Sequence, residues 1–174
     1  MVLRIIKYNL FLLLSALAAL FCWTGCGIYS FSGSTLPPHI KSVAVPLFEN
    51  RTAEFGIDQE LTDALIDALI EDNALKVADY RDADAVLKGQ IIRVTDGIGQ
   101  YSQTGNDLEQ AGDFRITIAV KVAFEDKHKR TDLWEKSISQ WGVYDLNDIS
   151  REDGITEAID KITTEIITKT VSDW

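Results

Sequence analysis

The chain has 174 residues and is poor in the residues that build covalent or metal-held scaffolds. It carries 2 Cys and 2 His, and both cysteines, Cys22 and Cys26, fall near the amino terminus. That count excludes a Cys/His structural zinc site, a disulfide framework, and a Cys–His nucleophile pair in the body of the chain. With 3 Pro and 11 Gly, the sequence is neither collagen-like nor low in complexity. Positive charge is also short: 17 Lys and Arg stand against 27 Asp and Glu, a formal net charge of −10. A general nucleic-acid binder needs a basic face, so this balance argues against nucleic acid as a partner. The one long apolar run, Leu10 to Trp23, is broken only by Ser15 and covers 14 residues. A bilayer-spanning helix needs about 20. The hydrophobic share of 46% is ordinary for a single globular domain.

What is present begins with an address. Arg4 and Lys7 precede the apolar run, and Thr24-Gly25-Cys26-Gly27 follows it. A short positive region, an apolar stretch and small residues read as a secretory signal peptide over residues 1–25. The Thr-Gly-Cys ending resembles a bacterial lipobox. That resemblance implies cleavage before Cys26 and lipid attachment at its thiol, with palmitate among the acyl chains. Gly27 in place of Asp resembles the pattern that sorts lipoproteins to the outer membrane. A single acylated thiol also accounts for the lack of other cysteines in an oxidising compartment. Cleavage removes Arg4 and Lys7 but no acid. The mature chain would thus meet the membrane through its acyl anchor, not by attraction to anionic lipid. Residues 26–39, rich in Ser, Gly and Pro, read as a lipidated tether, and residues 40–174 as one domain.

Within that domain, Val43, Val45 and Leu47 alternate in a first strand, Ile40–Phe48, and Glu49–Thr52 reads as a polar loop. From Ile57 the period becomes 3.6: Ile57, Leu61, Ala64, Leu65, Ala68 and Leu69 predict a helix ending near Asp72-Asn73. Ile66 and Ile70 widen its stripe, as though the helix were covered on more than one side. Leu75–Asp79 suits a short strand or turn. Ala85–Val94 is strand-like but ambiguous in phase, and Thr95–Gly112, polar with four glycines, reads as a long loop. Phe114–Phe124 alternates strictly, with Phe114, Ile116, Ile118, Val120, Val122 and Phe124 on one face. Leu133–Tyr144 is the expected return strand, with Gly142 as a bulge. Ser150 with Asp153 forms a capping-box variant ahead of Ile155, Ile159, Ile162 and Ile166. The expected class is α+β: two layers, two helices packed on a mainly antiparallel or mixed sheet of about four strands.

No catalytic constellation emerges, and no cofactor, metal ligand set or catalytic residue is assigned. His39 and His128 flank different elements. Acidic pairs such as Asp82/Asp84 read as solvated charges and caps. Lys127-His128-Lys129-Arg130 is the one basic cluster. It serves either as a solubilising hairpin turn or as a contact for an anion or partner. Lys121, on the wet strand face, could extend it, so the candidate contact set is Lys121, Lys127, Lys129 and Arg130.

With the lipobox, Gly27-Ile28-Tyr29-Ser30-Phe31, Leu36-Pro37, the run from Ile40 to Thr52 and Leu133-Trp134-Glu135 in view, the chain is similar to the LptE family of lipopolysaccharide-assembly lipoproteins. The form is the one found outside the enterobacteria. The resemblance implies a non-enzymatic protein at the periplasmic face of the outer membrane. Such a protein plugs an LptD-like β-barrel, with lipopolysaccharide itself as a further contact through basic residues. A segment like Val43–Asn50 also opens the strand–helix unit of other envelope proteins. The alternative is therefore an envelope scaffold or regulator of related fold, such as a peptidoglycan-synthase activator or a secretion-pore component.

Overall fold

The computed structural model describes residues 36–102, 110–145 and 148–171. The expected signal peptide, Cys26 and most of the tether lie outside these residues. The elements run β1 (Ser42–Ala44), β2 (Glu49–Asn50), α1 (Ile57–Asp72), β3 (Lys76–Val77), β4 (Ala85–Ser102), β5 (Gln110–Asp126), β6 (Thr131–Tyr144) and α2 (Arg151–Val171). The sheet order is β3-β1-β4-β5-β6, and β2 also pairs with β4. β1 is parallel to β3 and β4, and β2 is parallel to β4. The β4–β5 and β5–β6 pairs are antiparallel. A parallel neighbour needs a crossover, and α1 supplies it between β1 and β3.

The core follows from two periodicities meeting. On β5, Ile116, Ile118, Val120, Val122 and Phe124 are fully buried. Onto them pack Ile57, Leu61, Leu65 and Leu69 of α1 and Ile155, Ile159, Ile162 and Ile166 of α2. Each such side chain contributes about 1.5–3 kcal/mol by leaving water. The α2 start is a reciprocal cap: the Asp153 N–H donates to Ser150 Oγ (3.1 Å), and the Ser150 N–H donates to Asp153 Oδ2 (3.0 Å). The result is the expected two-layer α+β domain on a mixed sheet. It has six strands where about four were expected: β3 falls within Leu75–Asp79, read as a short strand or turn, and the first two residues of the expected polar loop Glu49–Thr52 are instead the two-residue strand β2. Strands that short leave no alternation to read.

Several local expectations are corrected. β1 ends at Ala44, and Pro46 lies just beyond it, so the chain leaves the sheet and Leu47 is exposed while Phe48 is buried. Ile70 is exposed too, so α1 is not covered all round. The ambiguous phase of β4 has a cause: a register shift between Ile91 and Arg93 turns Val94 back toward the core side, opposite Ile118. Most of the expected loop Thr95–Gly112 is instead the outer reach of the β4–β5 hairpin, which stays paired to Ser102 and Gln110. Gly142 is not a bulge. It pairs regularly with Ile116, and a Cβ there would sit 1.9 Å from the Gly154 carbonyl oxygen. The missing side chain lets the first turn of α2 press onto the strand.

The far end of the sheet is tied by one guanidinium. Arg151 grips both oxygens of Glu54 (2.9 and 2.7 Å) and both of Asp96 (3.0 and 3.1 Å). The Tyr144 hydroxyl donates to Asp96 as well (2.9 Å). The guanidinium holds Glu54 and Asp96 below the usual carboxylate range.

Candidate functional site

At the opposite end, β5 finishes on Asp126 and the chain reverses through Lys127–Arg130. Asp126 is fully buried. Its Oδ1 accepts the backbone N–H groups of His128 (2.9 Å) and Lys129 (3.1 Å), the Asx arrangement that pins a tight turn. Its Oδ2 meets His39 Nε2 at 2.7 Å. The Arg130 N–H closes the turn on the Asp126 carbonyl (2.8 Å), with Arg130 at a positive φ of 55°. Burial pushes the Asp126 carboxyl up, but the His39 contact and the two N–H donors more than offset it, leaving it below its ordinary value.

Asp84 repeats the pattern at the start of β4. Its Oδ2 accepts the N–H groups of Lys41 (3.0 Å) and Ser42 (3.1 Å) and the Ser42 hydroxyl (2.8 Å), and Oδ1 faces His128 Nε2 at 3.2 Å. Those donors, the Lys41 N–H first, hold Asp84 far below the carboxylate range. It is therefore no freely solvated charge. His39 and His128 also stand together, ring centroids 6.0 Å apart. The register explains it: Val43 pairs with Ala85, and Ala85 with Asp126, so the start of β1 lies beside the end of β5. Leu36, inside the stretch read as tether, already packs against the core.

The sequence-expected cations fall in two places. Lys127, Lys129 and Arg130 share the turn, but the turn is internally committed. Lys127 Nζ donates to the Tyr80 and Arg81 carbonyls and lies over the Tyr80 ring, while Lys129 Nζ is 3.9 Å from Asp126. Lys121 sits on β5 six residues before Lys127, about 20 Å away along the strand. It pairs with Glu135 at 2.9 Å. Cys26 lies outside the described residues. The residues that sequence reasoning missed are Asp126, Asp84 and the role of His39. An Asp opening a turn was the one available signal for Asp126.

Lys121 belongs to the sheet face that the helices leave bare. There Arg93, Ala119 and Ser139 lie side by side, as do Thr95, Thr117 and Trp141. Between them runs a shallow depression of about 250 Å³. The Arg115 guanidinium stacks on Trp141 at 4.0 Å, and Lys161 reaches the same ring at 4.2 Å. This is the largely wet face expected of β5, save for Ala123, which is buried.

Chemically, the cluster holds its carboxylates ionised and saturated with donors, the reverse of a poised general base. Among the described residues, no group of three or more His, Cys, Asp or Glu converges as a metal site. The arrangement fixes a turn and presents a polar surface.

A model of the LptE lipopolysaccharide-assembly family matches residues 40–172. No curated protein sequence matches the chain. Among solved structures, a hypothetical protein from Chlamydia trachomatis is similar with a TM-score of 0.56 and 11% identity, over 75% of this chain and 95% of that one. A DUF330-family protein from Xanthomonas campestris gives 0.55 and 13%, over 78% and 88%. PelC from Paraburkholderia phytofirmans, solved as a dodecamer, gives 0.50 and 16%, over 76% and 89%. At these identities the likeness is one of fold.

Proposed function

Because the chain belongs to the LptE lipopolysaccharide-assembly family, we propose that it is a lipid-anchored partner of an LptD-like outer-membrane barrel, seated in the barrel as a plug. Residues 1–25 are the signal peptide, Cys26 carries the lipid at the periplasmic face of the outer membrane, and residues 26–39 lead into the domain. The role is that of an assembly partner, not of an enzyme. The observation that carries the reading is the bare sheet face. One side of the sheet is sealed under two helices; the other is mainly Thr, Ser and Ala with paired charges such as Lys121–Glu135, and its exposed Trp141 lies under the Arg115 and Lys161 cations, with Ile92 the exposed apolar side chain beside the depression. A surface of that kind suits a water-lined lumen, where a greasy face would be out of place. The turn Lys127–Arg130 then meets acidic lumen groups or lipopolysaccharide phosphates, with Lys121 as a separate contact on the face.

The test is a pull-down from detergent-solubilised outer membrane. Wild type should bring down a large barrel protein. The triple reversal Lys127→Glu, Lys129→Glu, Arg130→Glu should weaken that complex or lipopolysaccharide export. Its thermal midpoint is measured alongside, since Lys127 and Lys129 also brace the turn. No barrel with wild type overturns the assignment, and a penicillin-binding protein in its place supports the synthase-activator alternative. Unchanged yield and export with the triple reversal leave the plug but remove the role given to the turn.

A further inference from the structure

Three exposed apolar side chains gather at the end of the sheet away from the tether. Phe55 is fully exposed, and Ile98 and Ile149 are 52% and 41% exposed. Each adjoins a corner of the Arg151 clamp: Phe55 follows Glu54, Ile98 lies two residues past Asp96, and Ile149 two before Arg151. One guanidinium holds both carboxylates, so the backbone at all three residues lies within two residues of one ionic centre. They are remote from the start of β1. Ala85 pairs beside the start of β1, and Asp96 lies eleven residues farther along β4, about 36 Å at the strand rise.

The loop that carries Phe55 is heavily braced. Asn50 Nδ2 donates to the Glu54 carbonyl (2.6 Å). The N–H and hydroxyl of Thr52 donate to Asn50 Oδ1 (2.9 and 2.8 Å), and the Glu54 N–H donates to Thr52 Oγ1 (3.2 Å). Gly56, at φ 82°, then turns the chain into α1. A loop held by so many of its own bonds has already lost its conformational freedom, and the side chain it holds bare in water is an aromatic. That is the form of a pre-organised interface anchor.

Charge selects the partner. Arg151 is spent on its two carboxylates, and both helices begin here with acidic first turns, Asp58 and Glu60 in α1, Glu152 and Asp153 in α2. Apolar tips inside an acidic ring are repelled by anionic headgroups and complement an apolar protein pocket rimmed by Lys or Arg. We propose that Phe55, flanked by Ile98 and Ile149, inserts into such a pocket on a protein partner. That the partner is the barrel rests on the proposed function; the surface itself does not.

The test uses the full-length lipoprotein in cells, with a photocrosslinking benzophenone amino acid at position 55 or, as control, at position 80 near the tether. The adduct from position 55 should map to a protein segment of apolar residues beside Lys or Arg. Phe55→Ser should lower recovery of that protein on the order of tenfold, the loss of one anchor. Its thermal midpoint should not move. Adducts only to lipid or lipopolysaccharide, adducts on an acidic surface, or none above the position 80 probe overturn the proposal. So does recovery within about twofold of wild type for Phe55→Ser, well short of an anchor's loss. If wild type retrieves no barrel, the proposed function falls, while the adduct on whichever protein is crosslinked still decides the anchor.

Discussion

The two ends of the sheet are both tied by charge, with the chemistry inverted. Near the tether, carboxylates collect donors: Asp126 and Asp84 take backbone N–H groups, a hydroxyl and two imidazoles. At the far end a guanidinium collects acceptors, Glu54 and Asp96. The first knot includes a sealed carboxylate, and short bonds to the backbone fix the chain's path. The second lies at the surface and draws together segments distant in sequence. Carboxylates are held low at both ends, so both should answer to acid, but the exposed far end should answer more to salt.

The largest expected effect separates packing from charge at the far end. Gly142 and Gly154 meet backbone to backbone beside Arg151, and no flexible side chain there can yield. Gly142→Ala should cost about 3 kcal/mol or prevent folding, as overpacking does. Gly97→Ala is the control, since nothing lies within 4 Å of its added methyl. Thermal unfolding of the two variants checks this; equal midpoints would mean that α2 does not seat on β6 as described.

Next comes the tether end. Asp126→Asn keeps the shape but loses the charge that His39 faces, at a cost of about 2 kcal/mol near neutral pH. Asp126 and Asp84 are both held below their ordinary values. Groups depressed in the folded state contribute stability fully present above the unfolded value, near pH 4, and lost as pH falls through the folded one. Wild type should thus weaken as pH drops below about 4, and Asp126→Asn should weaken less steeply. Denaturant midpoints taken across acid pH measure both slopes. Parallel slopes would show that Asp126 is not depressed by the fold.

These ends were not equally legible. Helix α1 could be read almost to its ends because Ile57, Leu61, Leu65 and Leu69 recur on one face, and β5 because its buried side chains alternate from Ile116 to Val122. The outer β4–β5 hairpin looked like a loop for a physical reason. Thr95, Asp96, Gly97 and Ile98 are all exposed, so neither face leaves a hydrophobic period. Asp126 could be suspected from its place before a turn, but its partner His39 is 87 residues away. Phe55 is one aromatic among 7 Phe in the sequence, and only the braced loop distinguishes it from a core residue.

The smallest stability effect should belong to Arg151, although its guanidinium makes four contacts with two carboxylates. Its side chain is 38% exposed, and Asp96 is 43% exposed, so water competes for both. Two carboxylates on one guanidinium also repel each other, which offsets part of the gain. Arg151→Gln should therefore cost about 1 kcal/mol at low salt, the upper range for exposed pairs. At about 1 M salt the screening length shrinks to roughly 3 Å, and the difference from wild type should nearly vanish. The Asp126→Asn difference should persist there, because its bonds are short and shielded from ions. Urea melts of the three proteins at low and high salt provide the comparison, urea being uncharged. If salt removed the Asp126 effect and left that of Arg151, the buried and exposed assignments of the two knots would have to be exchanged.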